Sequence, residues 1–240
     1  MTKNIILCLS LVISVIIGLS SCDNETTDGF TSVTTYAVLE MIGDGELYVE
    51  MGSTYNDDGC TATYKGEDVT NQIITESNVN TSEEGTYTVT YGVTNEDGFT
   101  PTVTRYVYVA KADNTPSVIS NGLYTVQDGT FRKYKGSNTD FSSYKILIYQ
   151  LSPGIFSISD FLGGYYAQYN GYGSDFAMTG TFQLNDDNTI TPLTSFVPGW
   201  EDSLDYLKNS SVDSTTGEIT YDLGYVGSSM NFHVILKFYK

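Results

Sequence analysis

The chain has 240 residues, of which 29 are acidic and 11 are basic, and its formal net charge is −18. Nucleic acids and anionic lipid surfaces both require clustered Lys and Arg, so this charge argues against either as a partner. Abundant Tyr, Thr, Val, Ile and Phe with five prolines instead favour an all-β protein, long enough for one or two domains with proper cores.

Residues 1–21 have the layout of a secretory signal. Lys3 precedes an apolar run from Ile5 to Leu19, and small residues follow before Cys22. The run is shorter than the roughly 20 apolar residues that a transmembrane helix needs. The sequence therefore predicts a signal that is removed rather than a retained membrane span.

The segment Leu19-Ser20-Ser21-Cys22 resembles the bacterial lipobox, in which a peptidase cuts before the cysteine and lipid is attached to its sulfur. The resemblance implies that Cys22 is the first mature residue and the membrane anchor, since acyl chains supply apolar burial that a charged domain lacks. Residues 22–31 form an acidic, polar tether that we expect to be disordered.

An acidic stretch directly after the lipidated cysteine is similar to the signal that sends Bacteroidetes lipoproteins to the outer face of the outer membrane. In enteric bacteria an aspartate at this place would instead indicate retention at the inner membrane. The resemblances described below favour the first lineage, and so an outer-membrane lipoprotein that faces the cell exterior.

Cysteine usage predicts a fold without disulfides. Cys8 leaves with the signal and Cys22 is lipidated, so Cys60 is alone. It lies at the start of GCTATY, a segment in which small and polar side chains alternate as in a strand. We expect Cys60 to act there as a small buried hydrophobic residue. No cofactor is predicted.

The chain divides near the sequence KADNTPS, with residues 32–111 before a linker at 112–117 and residues 118–240 after it. In the first part, residues 85–94 and 100–111 alternate apolar and polar side chains, with Asn95–Gly98 as the turn between two strands. The segments GSTYNDDGCTAT, VNTSEEGTYTVTYGVTNEDG and TVTRYVYV resemble a bacterial Ig-like module of surface proteins, over residues 38–110. The resemblance implies a β-sandwich that acts as a spacer without catalytic residues.

The second part contains about eight predicted strands joined by hairpin turns, which favours an antiparallel barrel or sandwich. The predicted strands are GLYTV, YKILIYQL, IFSISDF, YYAQY, DFAMTGTFQL, TITPLTSF, GEITYDL and MNFHVILKFY. Their order resembles the C-terminal domain of two-domain Bacteroidetes lipoproteins, which often accompany SusC/SusD-like glycan-import proteins. WEDSLDYLK is the one segment with helical spacing, where Trp200, Leu204 and Leu207 form an apolar stripe.

Catalytic and metal-binding signatures are weak. His233 faces away from the apolar side of its predicted strand, and no nucleophile elbow accompanies it. Asn56–Gly59 and Asn185–Asn188 carry oxygen ligands that calcium would accept, but their spacing is typical of turns, which we favour while calcium stays open. The sequence therefore assigns no catalytic and no metal-binding residue.

Residues 161–176, FLGGYYAQYNGYGSDF, are the strongest candidate for binding. A strand here would place Tyr165 and Tyr169 on one face and Tyr166 and Asn170 on the other, with Tyr172 at the tip of a hairpin loop. Aromatic rings flanked by amides suit the C–H faces and hydroxyls of sugars. The candidate glycan-binding residues are Tyr172, Tyr166, Trp200 and Asn170, although Trp200 fits core packing equally well.

The sequence as a whole predicts a surface lipoprotein with an Ig-like spacer and a C-terminal β-domain, which serves as an accessory glycan-binding component of a polysaccharide-utilisation system. A polysaccharide or oligosaccharide and SusC/SusD-like outer-membrane proteins are the expected partners. The alternative is a structural or adhesive protein that contacts other proteins. A hydrolase ranks last because no compact catalytic set is present.

Overall fold

The structure, a computed structural model, describes residues 34–239. The predicted signal at 1–21, the tether at 22–31 and the lipidation site Cys22 lie outside the described residues. From Tyr36 onward the described residues form one compact unit. Within the described part, no helix has the length and apolar character needed to cross a membrane.

Seven strands between residues 38 and 110 form two sheets. They are β1 (Val38–Met41), β2 (Glu46–Glu50), β3 (Cys60–Tyr64), β4 (Glu67–Asp68), β5 (Ile74–Ser77), β6 (Gly85–Gly92) and β7 (Thr102–Ala110). One sheet has the order β1-β3-β4 and the other the order β2-β7-β6-β5, in which β2 runs parallel to β7. A 3-10 turn at Thr70–Gln72 lies just before β5.

The predicted pairing of β6 with β7 is confirmed. Val89 and Tyr91 on β6 are buried, as are Val107 and Val109 on β7, in agreement with the alternating pattern. The turn between these strands is held by Asn95, whose side-chain Oδ1 accepts hydrogen bonds from two backbone N–H groups further along the turn. Local turn chemistry therefore fixes the register of the longest strand pair in this part of the chain.

A buried charge joins the two sheets. Arg105 on β7 is fully buried, and its Nη1 donates to Asp57 Oδ2 at 2.8 Å and to the Tyr91 hydroxyl at 3.0 Å. Asp57 was predicted as a turn residue, and it does accept a bond from the Gly59 N–H at 2.8 Å. The turn interpretation was incomplete, because the same carboxylate also neutralises the guanidinium.

Cys60 is buried at the start of β3, as expected for a small hydrophobe, and it forms no disulfide. Burial raises the pKa of its thiol, so the side chain stays protonated and inert at neutral pH.

Ten strands follow between residues 122 and 238. They are β8 (Gly122–Val126), β9 (Phe131–Tyr134), β10 (Ser137–Asp140), β11 (Lys145–Ser152), β12 (Ile155–Ile158), β13 (Thr179–Leu184), β14 (Ile190–Phe196), β15 (Tyr206–Val212), β16 (Ile219–Tyr225) and β17 (Met230–Phe238). All their pairings are antiparallel. Eight of them follow the order β15-β16-β17-β8-β11-β12-β13-β14, and β9 with β10 extends from part of β17.

This sheet curls until its two ends meet. The Val212 N–H of β15 donates to Asn188 O at 2.7 Å, and Ser210 Oγ accepts from the Ile190 N–H of β14 at 2.9 Å. The inward faces enclose the main apolar core, in which Phe156 and Phe182 stack at a centroid distance of 5.4 Å. The all-β prediction is confirmed, and the barrel alternative describes this part better than an open sandwich.

The helix suggested by WEDSLDYLK is absent, which corrects the sequence interpretation. Trp200 lies in a turn closed by pairing of Val197 with Asp202, and strand β15 begins at Tyr206. Leu207 sits opposite Leu223 on β16. Cross-strand pairing and burial against the core therefore override a helical spacing that was only two turns long.

Residues 112–117 contain no strand and are held to the C-terminal sheet. The Asp113 N–H donates to Gln150 O at 2.7 Å, and Gln150 Nε2 donates to Thr115 O at 3.3 Å. On the other side, Asn114 Nδ2 donates to Glu50 Oε1 of strand β2 at 2.8 Å. The segment predicted as a linker is thus hydrogen-bonded on both sides.

Candidate aromatic binding site

Asp160 organises the segment that follows β12. Its carboxylate is 2% exposed and accepts backbone hydrogen bonds from Leu162 at 2.8 Å, Met178 at 2.9 Å and Gly164 at 3.1 Å. Burial raises the pKa of Asp160 to about 6, although these three bonds act in the opposite direction. One side chain thus fixes both ends of the loop over residues 161–178.

Two glycines then reverse the chain. Gly163 has φ 64° and Gly164 has φ 79°, a left-handed conformation that strains other residues. A Cβ on Gly164 would lie 3.1 Å from the Cβ of Tyr144 and 3.2 Å from the side chain of Gln168. Gln168 in turn pairs with the backbone of β11, donating to Lys145 O at 2.9 Å. The edge that a strand would occupy is therefore filled by a side chain.

As a result, Tyr165–Tyr169 forms a π-helix and not the predicted strand. The expected division of the tyrosines between two sheet faces is wrong. Tyr165 and Tyr166 are both buried, with rings edge-to-face at 4.9 Å. A helical turn places neighbouring residues about 100° apart, so both can point towards the core. These two tyrosines are therefore packed in the core.

The loop after the π-helix brings the predicted binding residues together. Tyr172 is 55% exposed and Trp200 is 40% exposed, with a centroid distance of 6.3 Å. Both rest on Tyr166, whose ring is stacked with Tyr172 at 6.3 Å and edge-to-face with Trp200 at 4.7 Å. Asn170 ends the π-helix and is exposed on the loop that leads to Tyr172. We call Tyr166, Tyr172, Phe176 and Trp200 the aromatic cluster.

Phe176 lies in DFAMTGTFQL, which was predicted as a strand, and this part of the prediction was wrong, although Phe176 does pack against the core. It lies in a 3-10 turn, Ser174–Phe176, with its ring 4.9 Å from Trp200 and 5.5 Å from Tyr172. Its place in the sequence just after the loop tip was the available signal. The strand prediction missed this role, because the alternating pattern of the residues after Phe176 was extended towards the N-terminus to include Phe176.

Below the cluster lies a polar layer that the sequence did not reveal. The Tyr166 hydroxyl contacts Met230 Sδ at 2.8 Å, and Arg132 Nη1 donates to the Tyr165 hydroxyl at 3.2 Å. Burial raises the pKa of Tyr166, while the charge of Arg132 acts in the opposite direction. The hydroxyl of buried Tyr225, whose ring lies 6.4 Å from that of Trp200, has no hydrogen-bond partner in the described part of the chain. The cluster therefore offers exposed apolar ring faces above neutral phenols.

The remaining sequence candidates lie apart from this cluster. His233 faces outward from β17, as predicted, and pairs with Asp222. Asp187 caps its own turn by accepting from the Thr189 N–H at 3.1 Å, as the turn interpretation expected. Between residues 34 and 239, no three His, Cys, Asp or Glu side chains are grouped in a way that could hold a metal ion.

Comparisons with known proteins match this architecture. A family model for a bacterial surface protein Ig-like domain matches residues 39–109, and a second, for a "-like, C-terminal domain", matches residues 113–237. The crystal structure of lipoprotein BT2262 from Bacteroides thetaiotaomicron is 45% identical, covers 85% of this chain and 100% of that chain, and has a TM-score of 0.66. This chain belongs to the BT2262-like family. The predicted resemblance to Bacteroidetes lipoproteins with an Ig-like domain is confirmed.

Two further solved structures resemble the chain much less. A Clostridium perfringens ZmpB structure, of CBM51-2 in complex with GlcNAc and INT domains, is 19% identical over 50% of this chain and 31% of that chain, with a TM-score of 0.26. A Bacteroides ovatus protein of unknown function is 13% identical over 80% of this chain and 70% of that chain, with a TM-score of 0.30. Neither carries an argument at such scores. A search of curated proteins gave no match.

Proposed function

We propose that this BT2262-like protein is an accessory component of a polysaccharide-utilisation system that holds oligosaccharides on the aromatic cluster. The observation that carries the proposal is the pair Tyr172 and Trp200, two half-exposed rings fixed on a buried tyrosine. A rigid aromatic surface loses little conformational entropy on binding, because its side chains are already held by ring contacts.

The chemistry of the cluster suits a neutral sugar. The C–H face of a pyranose packs on flat rings, and its hydroxyls find partners in phenol oxygens and in the amide of Asn170 on the adjoining loop. Such a shallow surface predicts dissociation constants of roughly micromolar to millimolar, or about −8 to −4 kcal/mol. The cluster presents no nucleophile with a neighbouring base, so we propose binding without catalysis.

The proposed setting follows from the N-terminal sequence. A lipid on Cys22 would anchor the chain to the outer membrane, and the acidic tether would direct it to the exterior, where SusC/SusD-like proteins are the proposed partners. The Ig-like part would then serve as a spacer between the anchor and the aromatic cluster.

The test is a glycan array, followed by calorimetry on the sugars that bind, with a soluble chain of residues 30–240. Tyr172→Ala should weaken binding at least tenfold, roughly 1.4 kcal/mol, while unfolding in urea shows a loss of about 1 kcal/mol or less. The control is Tyr36→Ala, since Tyr36 is 53% exposed and contacts one aromatic ring, Phe99, away from the cluster. Equal binding by both variants would remove the cluster from the proposed site.

A second candidate function is adhesion to a protein partner. Strand β5 lies at the edge of its sheet, all four of its residues are exposed, and Ile74 is 58% exposed. An uncovered edge with an apolar side chain can pair with a strand of another protein. Ile74→Lys should abolish such pairing and leave sugar binding unchanged, which separates the two functions in one pull-down and array experiment.

A further inference from the structure

The outer face of β15, β16, β17 and β9 carries a second polar site that shares no residue with the aromatic cluster. The strand register aligns two adjacent ladders of side chains across these four strands. One ladder consists of Lys208, Asp222, His233 and Phe131, and the next consists of Tyr206, Gly224, Asn231 and Lys133. Residues directly opposite each other on one sheet face are close enough to act together.

The first ladder holds an oriented imidazole. His233 Nδ1 lies 2.7 Å from Asp222 Oδ1, and Phe131 stacks on the imidazole with centroids 5.4 Å apart. The second oxygen of Asp222 accepts from Asn209 Nδ2 at 2.8 Å. Burial would raise the pKa of Asp222, but the bonds from Asn209 and His233 lower it overall. The carboxylate is thus satisfied by its neighbours, and it turns His233 Nε2 away from itself.

The second ladder forms the floor. A Cβ on Gly224 would lie 2.3 Å from Cε1 of Tyr206, so the absence of a side chain there lets the Tyr206 ring lie flat across the strand. The Tyr206 hydroxyl donates to Asn231 Oδ1, which fixes the ring in this position. Glycine is required here for close approach. The result is an aromatic surface bordered by an amide and an imidazole.

Two lysines stand at opposite ends of this floor, and Lys208 lies across from Asp222, whose pKa its charge helps to lower. Between residues 34 and 239 three ion pairs are present, and neither Lys133 nor Lys208 takes part in one. Lys208 Nζ instead lies 4.7 Å from the centroid of the Tyr206 ring. The two exposed ammonium groups outnumber the one carboxylate that lines the pocket, Asp222, and so form a local positive field in a chain of net charge −18.

We propose that this pocket, of about 300 Å³, binds the carboxylate of an acidic sugar such as a uronate. The two ammonium groups attract the carboxylate, Asn231 and His233 offer hydrogen bonds to hydroxyls, and the Tyr206 ring packs against the C–H face of the sugar. The pocket is a separate site, so a test of acidic-sugar binding here does not depend on whether sugars bind at Trp200.

His233 makes a direct test possible, because it is the only histidine of the chain. In a tag-free chain of residues 30–240, the imidazole resonances need no assignment. Titration with a galacturonate trisaccharide should shift the ring nitrogen and Cε1 proton signals of His233 in a saturable way. The neutral methyl ester of the same trisaccharide should produce shifts at least tenfold weaker in apparent affinity.

Charge variants identify the residues responsible. Lys133→Met and Lys208→Met should each weaken trisaccharide binding about tenfold, the loss expected for one charge-assisted contact of about 1.4 kcal/mol. Lys65→Met is the matched control, since Lys65 is exposed and pairs with Glu96 at 2.7 Å in the Ig-like part. It removes the same charge and should leave binding unchanged.

Four outcomes would overturn the proposal, the last of them only the choice of a sugar as ligand. The first is no saturable shift of His233 with the acid. The second is equal affinity for the acid and its methyl ester, which would show that the carboxylate is not recognised. The third is an equal loss in all three lysine variants, which would indicate a general effect of net charge. Binding of acetylated glutamate as tight as that of the trisaccharide would overturn the sugar as ligand class.

Discussion

Arg105 is the side chain on which the Ig-like core depends most. All three of its nitrogens donate, to Asp57, to the Tyr91 hydroxyl and to the backbone oxygens of Asp44 and Ile42. Burial would raise the pKa of Asp57, but hydrogen bonds from Tyr55, Tyr91 and Arg105 hold it at about 2. The pair therefore stays ionised in a core with few apolar residues.

We predict that Asp57→Asn lowers the free energy of unfolding by about 2 to 3 kcal/mol, because it leaves a buried guanidinium without its counter-charge. The value is below that for a fully buried pair, since 26% of the Asp57 side chain is exposed. Glu96→Gln is the control, because its ion pair with Lys65 is exposed to solvent and screened, so its loss should leave stability nearly unchanged. Urea unfolding that gave equal losses for the two variants would contradict a structural role for Arg105.

Asp160 predicts an unusual dependence of stability on pH. Its pKa is about 6 in the folded protein and near 3.8 in an unfolded chain, so the folded state binds its proton more tightly. Its contribution is complete below pH 4 and is lost as the pH rises to about 6, by roughly 3 kcal/mol for two pKa units. Asp57 acts in the opposite sense, since its contribution is lost as the pH falls below 4.

Asp160→Asn should therefore remove most of the change in unfolding free energy between pH 4 and pH 6.5, as measured by urea titrations at several pH values. The amide keeps one oxygen, which can still accept from both the Leu162 and Met178 N–H groups, but its nitrogen cannot accept from the Gly164 N–H. A lower stability at every pH is expected from that loss. An unchanged pH slope would show that other carboxylates control this window.

At the residue scale, the sequence predicted which side chains are exposed or buried better than it predicted their hydrogen-bond and ion-pair partners. Alternation on β17 placed His233 outward, and spacing grouped Arg105 with the inward valines of β7, both correctly. The partners Asp222 and Asp57 lie on another strand and in a turn, 11 and 48 positions away along the sequence from His233 and Arg105. Periodicity within one strand carries no information about such pairs.

Among the elements, the π-helix at Tyr165–Tyr169 depends on the glycines before it. Gly164 and Gly171 both have positive φ, 79° and 69°, but only Gly164 has atoms within 4 Å of an added Cβ. Gly171→Ala should cost about 1 kcal/mol from backbone strain alone. Gly164→Ala should cost roughly 3 kcal/mol, since it also displaces Gln168 from β11. Urea unfolding measures both, and equal costs would contradict the role of packing at Gly164.

The same element shows where strand prediction from sequence fails. YYAQY has β-forming residues in alternation, which favours a strand, but the backbone bonds of that edge are taken by Gln168. Strands β9, β10 and β15 escaped prediction for the opposite reason, because β10 and much of β15 are rich in Ser, Asn and other polar residues. β9 pairs with β17 and β15 with β16, both strongly apolar on one face, and among the described strands β10 pairs only with β9.

At the scale of the whole molecule, the connection at 112–117 decides how independent its two parts are. Gln150 is 1% exposed, and its Nε2 donates to Asp113 Oδ1 and to Thr115 O, both at 3.3 Å. The native connection should therefore resist proteases, whereas Gln150→Ala should be cut there, giving two fragments on a gel. Gln127→Ala is the control, since Gln127 donates to Thr125 O elsewhere. Cleavage of both variants at one rate would contradict this role, and the predicted domain boundary would need another test.

The parallel pairing of β2 with β7 has a mechanical consequence. Glu46 lies opposite Tyr106 and Glu50 opposite Ala110, so the two strands run in the same direction along five paired positions. Consider a force that pulls the residues before β2 in one direction and the residues after β7 in the opposite direction. Because β2 and β7 are parallel, this force acts along both strands and loads their hydrogen bonds in shear. Its hydrogen bonds must then break together, whereas a ladder pulled from one end opens bond by bond. The lifetime of the Ig-like part under tension is set by its unfolding rate, so such a pull would be borne mainly by these two strands.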